Sequence, residues 1–77
     1  MTAVKNLEKF ERKKDVVFVN LCDAKYVVKT SQRIRADLVW VTESVRSSID
    51  DALQVFARHK EQMLANRICV GDRSYLR

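Results

Sequence analysis

Seventy-seven residues with 15 Lys and Arg against 10 Asp and Glu, a net charge of +5, suffice for one domain over residues 1–77. Two domains are excluded, since each half would fall below the roughly 40 residues that fold without disulfides or metals. Hydrophobic residues at 47% and charged residues at 32% exclude a disordered chain, and no run approaches the roughly 18 apolar residues of a membrane span.

Charged residues from Lys5 onward interrupt any signal-peptide-like stretch, so a cytoplasmic, intracellular protein is expected. The sequence has no proline and one glycine, Gly71, so element boundaries must come from periodicity and caps. Residues 2–14 read as a helix: Val4, Leu7 and Phe10 share a side with Ala3, and Lys5, Lys9, Arg12 and Lys13 gather on another. Residues 15–20 concentrate β-branched and aromatic side chains and read as a strand, with Val16, Phe18 and Asn20 on one side and Val17 and Val19 on the other.

Residues 26–43 fit two templates. Tyr26–Thr30 and Leu38–Thr42 have strand propensity, and Ile34, Ala36, Leu38 and Trp40 alternate as a strand face should. Val27, Ile34, Leu38, Val41 and Val45 also fall on one side of a helix. Three separate β-rich clusters favour an antiparallel meander. Residues 48–66 form an amphipathic helix, opened by Ser47 or Ser48 as cap with Asp50 or Asp51 three residues on. Ile49, Ala52, Leu53, Phe56, Met63 and Leu64 form its expected apolar face, with Ile49, Leu53 and Phe56 buried, His59 on its flank, and Asn66 as its left-handed terminator. Residues 67–70, followed by Gly71–Asp72, are expected to add a short strand and turn.

The expected fold is therefore α+β: an N-terminal helix, a short meander and a long C-terminal helix. The alternative is mostly α with one short strand. In that alternative, a strand leading to two helices, the second opened by Ser47-Ser48-Ile49-Asp50-Asp51-Ala52-Leu53, resembles the ribbon-helix-helix dimers that read DNA with paired strands.

No catalytic apparatus is visible, so the expectation is a protein that is not an enzyme and takes no small-molecule substrate. His59 is the single histidine, and no nucleophile elbow or oxyanion-forming turn accompanies it. Two cysteines 47 residues apart lack the paired spacing of a zinc site, and one glycine cannot build a phosphate loop, so no metal or cofactor is expected. Cys22 and Cys69 sit among apolar neighbours, as buried thiols do. Asp50 and Asp51 are dipole partners at a helix start.

The remaining signal is charge. Residues 1–14 sum to +3 and residues 67–77 to +2, leaving the interior neutral. Lys5, Lys9, Arg12 and Lys13 are the expected contacts to nucleic acid, with Arg33 and Arg35 extending the surface and Trp40 available for stacking on a base. The rival expectation is an inhibitor or adaptor docking on a larger protein through a sheet edge or helix face. A homodimer is also expected to be accessible, because so small a core gains from self-association.

Overall fold

The computed structural model describes residues 4–77, so Thr2 and Ala3 of the expected N-terminal helix lie outside the described residues. Residues 4–46 run as four antiparallel strands, β1 (Val4–Arg12), β2 (Asp15–Cys22), β3 (Lys25–Arg35) and β4 (Leu38–Arg46). Helix α1 (Ile49–Leu64) follows, and β5 (Arg73–Leu76) completes a five-stranded sheet in the order β1-β2-β3-β4-β5. Both expected fold classes are corrected by this: the protein is mostly antiparallel sheet with one short helix. Among the described residues there is neither an N-terminal helix nor the two helices of the ribbon-helix-helix arrangement.

The helix-like spacing at the N-terminus has a specific cause. β1 carries a bulge between Asn6 and Glu8, leaving Leu7 as the extra residue against β2. One inserted residue restores Leu7 and Phe10 to the same side of a strand, where plain alternation would separate them. Both pack against the core. A three-residue apolar spacing that mimics a helix turn is thus the product of a bulged strand.

In β2, Val17 and Val19 point inward beneath α1 and are fully buried, while Val16, Phe18 and Asn20 face away from it. Cross-strand register carries the inward face through Val28 and Thr30 on β3 to Ser44 and Thr42 on β4. The covered core consists of Val17, Val19, Val28, Ala52, Met63 and Cys69, with Leu7, Phe10, Tyr26, Val55 and Phe56 packed around it. Val41 is also fully buried, but on the opposite face, in register with Ser31 and Tyr75.

Helix α1 is rolled relative to its expected orientation. Ala52 and Met63 of the expected apolar face are buried, and His59 joins them, whereas Ile49 and Leu53 are 39% and 37% exposed, Leu64 is exposed and Phe56 is half-buried. Ser48 is the N-cap, yet no serine side chain caps the helix; Asp50 and Asp51 in the first turn complement its dipole instead. Asn66 follows the helix with φ 57°, the left-handed position that asparagine tolerates.

The inward faces of β3, β4 and β5 are unusually polar, with Thr30, Gln32, Thr42 and Ser44 buried. The Thr30 and Thr42 hydroxyls pair with each other, whereas the partners of Gln32 and Ser44 arrive in a strap, residues 67–72, whose first four residues the sequence suggests as a strand but which forms no ladder. Side chains hold it to the sheet. Gln32 Nε2 donates to the Arg67 carbonyl at 2.9 Å, the Cys69 N–H donates to Gln32 Oε1 at 2.8 Å, and Trp40 Nε1 donates to the Cys69 carbonyl at 2.8 Å. The Asp72 N–H donates to Ser44 Oγ at 3.2 Å. Buried polar groups on the sheet therefore satisfy the backbone of a segment that lacks strand partners.

Candidate functional site

Connection geometry sorts the charges along the sheet. The β1–β2 turn holds Lys13 and Lys14, and because Val16 pairs with Ser31, this turn lies beside the end of β3. The Arg33 N–H donates to Asp15 Oδ1 at 3.0 Å, joining the two hairpins, and Arg35 precedes the β3–β4 turn. The helix C-terminus arrives at the same end. Arg12 Nη1 donates to the Met63 carbonyl and, at 3.0 Å, to Asn66 Oδ1, and Gln32 reaches the Arg67 carbonyl. Arg77 joins them through paired backbone bonds with Val39 at 2.8 and 3.2 Å.

Seven of the 15 basic residues thus occupy this end, with Glu11, Asp15, Asp37 and, in the last turn of α1, Glu61 as the acids described there. Two of those acids have local partners: Asp37 lies 3.6 Å from Arg35 Nε and Glu11 2.7 Å from Lys9 Nζ. The opposite end carries the Asp23–Ala24 turn, the acidic helix start at Asp50 and Asp51, and the Arg46–Asp72 ion pair. In that pair the hydrogen bond from Arg46 holds the Asp72 carboxyl below the usual range and raises the Arg46 guanidinium.

The expected helical face of Lys5, Lys9, Arg12 and Lys13 is not assembled. In a strand these residues divide: Lys5 pairs with Leu21 at the far end, roughly 25 Å along the strand from Lys13 at about 3.3 Å per residue. Lys9 pairs with Phe18 on the face away from α1 and bridges Glu11. Arg12 is committed to the helix C-terminus. Lys13 remains, now beside Lys14, Arg33 and Arg35. Trp40 faces inward, its indole held by the strap.

The face away from α1 carries a second feature. A trough of about 670 Å³ opens over the β1–β2 hairpin, lined by Val4, Val16 and Phe18, by Asn6 and Asn20, and by Lys9, Lys13 and Lys14 together with Glu11 and Asp15. Alternation in residues 16–20 marks Val16, Phe18 and Asn20 as one face of β2. That this face would stay uncovered is set by where α1 packs.

His59 and Cys69 are neighbours without forming a reactive pair. The thiol donates to the His59 backbone carbonyl at 3.6 Å, and His59 Nδ1 faces Gln62 Oε1 at 3.2 Å. Burial lowers the imidazole pKa and pushes the Cys69 thiol up to about 11, so both groups are held uncharged. Far from flanking the helix, His59 is 1% exposed. Among the described residues no group of three or more His, Cys, Asp or Glu is arranged to hold a metal ion, and no helix is long and apolar enough to cross a membrane. Comparison with known proteins finds no matching family model, no similar curated protein and no similar solved structure.

Proposed function

We propose that the protein is a non-enzymatic module that binds nucleic acid through its phosphate backbone, using the cationic end of the sheet. The observation that carries this reading is the convergence of Lys13, Lys14, Arg33, Arg35, Arg67 and Arg77 at one end, while at the other Asp23, Asp50, Asp51 and Asp72 balance Lys5, Lys25 and Arg46. A one-ended charge distribution orients an approaching polyanion and raises the association rate, and each neutralised phosphate releases counterions.

Titration of a fluorescent oligonucleotide at several salt concentrations tests the reading. Affinity should fall steeply with salt, and Lys13→Gln, Lys14→Gln and Arg35→Gln should each reduce the slope of log affinity against log salt by about one. Lys5→Gln should leave it unaltered. Absence of binding at low salt would sink the proposal.

A second reading has one observation in its favour. Ile49, Leu53 and Leu64 are exposed on the side of α1 shared with Lys60, whose ammonium stands 5.0 Å over the Phe10 ring of edge strand β1. An apolar helix flank beside an open sheet edge suits a protein that adds a strand to β1. Under that reading Leu53→Asp abolishes partner binding and salt has little influence.

A further inference from the structure

We infer that the trough on the β1–β2 hairpin takes an unstacked base of single-stranded nucleic acid, with Phe18 as the stacking surface. The inference rests on the phosphate-binding reading and names the form of nucleic acid it selects.

Phe18 is half-buried on the face left open by α1, and register places Lys9 and Lys29 directly beside it on the two neighbouring strands, each paired with a glutamate, Glu11 at 2.7 Å and Glu43 at 3.6 Å, that an incoming phosphate would displace. An aromatic ring between two cations on an uncovered sheet is the arrangement in which a base stacks while its flanking phosphates are neutralised. At about 670 Å³ the trough falls within the about 300–1,000 Å³ of small-ligand sites.

Next to Phe18 lies a pair of amides. Asn6 Nδ2 donates to Asn20 Oδ1 at 3.0 Å and to the Glu8 carbonyl at 3.4 Å. Among the described residues this leaves Asn6 Oδ1 and Asn20 Nδ2 without a protein partner. One acceptor and one donor side by side match the alternating donors and acceptors on the edge of a base. Lys13 and Lys14 line the same trough at its turn end, so a strand whose phosphates lie on the cationic end is led directly to Phe18. Charge complementarity and the aromatic floor together favour a polyanion with exposed π faces. A duplex keeps its bases stacked inside and offers this surface only phosphates.

The test uses the full chain with a short thymidine oligonucleotide, its ribo counterpart, and duplexes of each, at two salt concentrations. Single strands should bind at least tenfold more tightly than duplexes in one series or both. Phe18→Ala and Phe18→Leu should weaken single-strand binding by about 5- to 100-fold while leaving the salt slope and the duplex affinity unaltered. Phe18→Leu preserves apolar volume, so it separates loss of stacking from loss of folding, which circular dichroism monitors. Equal affinity for single strands and duplexes, or parental binding by a folded Phe18→Leu protein, overturns the inference and leaves the phosphate reading standing. No binding to either form at low salt removes both.

Discussion

The side-chain amide of Gln32 brackets Cys69, accepting from its N–H at 2.8 Å while the other end of the same amide donates to the Arg67 carbonyl. One buried side chain thereby orders the path of the strap. Gln32→Leu should leave the Cys69 N–H buried and unpaired, at a cost of about 1–3 kcal/mol. In a domain of this size that corresponds to a fall of roughly 4–8 °C in Tm per kcal/mol. Thermal denaturation checks it, and a parental Tm would show that the strap is held by something else.

Gly71 is the point of closest approach between strap and sheet. A Cβ built there would meet Ser44 Oγ at 3.0 Å, Thr42 Cβ at 3.1 Å and the Glu43 carbonyl at 3.2 Å, and the last of these is backbone that cannot rotate away. Replacing glycine by alanine at an unstrained site stabilises by about 0.4–1 kcal/mol through the unfolded chain. Here overpacking outweighs that gain, so Gly71→Ala should destabilise by about 1–3 kcal/mol in urea unfolding.

The β2–β3 turn offers the opposite substitution. Asp23 and Ala24 both have positive φ, 51° and 60°, the two central positions of a mirror-image hairpin turn that favours Asp-Gly. Ala24→Gly relieves a left-handed Cβ at roughly 1–2 kcal/mol, against a smaller loss from unfolded-state entropy. A higher denaturation midpoint is expected; a lower one would mean that the turn is not strained.

Stability should form a plateau with pH. His59 titrates lower in the fold than its usual 6.5, so the unfolded chain binds more protons near that value, and the stabilising contribution is lost as pH falls from about 6.5 through the folded pKa. Cys69 runs the other way. Its thiol is raised from 9.0 to about 11, so its contribution is complete below 9 and lost as pH rises towards 11. Chemical denaturation between pH 5 and 11 should show both edges. Cys69→Ala should remove the alkaline one, and an unchanged alkaline edge would contradict the assignment.

Arg12 and Lys13 are adjacent in sequence and should separate in experiment. Arg12→Ala removes a guanidinium that holds the Met63 carbonyl and Asn66, costing about 1.5–3 kcal/mol as a charge-assisted contact. Lys13→Gln should leave unfolding within about 0.5 kcal/mol of the parent and alter only oligonucleotide binding.

The parts of the fold legible in the sequence are those whose cause is local. Residues 15–20 carry their strand character in their own β-branched side chains, and residues 49–64 carry a helix start in Asp50 and Asp51. Leu7 deceived because a bulge copies helical spacing, and Asp23–Ala24 concealed a turn because alanine occupies a glycine position. Thr30, Gln32, Thr42 and Ser44 look like an outward face, since Thr30 and Thr42 meet only through strand register and the strap that satisfies Gln32 and Ser44 follows more than twenty residues later. The cationic end was illegible for the same reason. Lys13, Arg33, Arg67 and Arg77 meet only through register and helix placement, whereas the outward alternation of Val16, Phe18 and Asn20 is visible in β2 alone.

Neighbour order in the sheet equals chain order, and this sets the sequence of events by which the molecule assembles and opens. β1 to β4 are joined by two-residue turns, so their pairings form as local hairpins, on a timescale of about 1–10 μs each. β5 must instead wait for 26 intervening residues, helix and strap included, to be ordered. Closing that longer loop costs about 2 kcal/mol more than closing a two-residue one, and only four residues of pairing repay it. β5 is therefore the last strand to join the sheet and the first to leave, and its departure uncovers Val41, so the earliest amide hydrogens to exchange under native conditions should be those shared by β5 and β4.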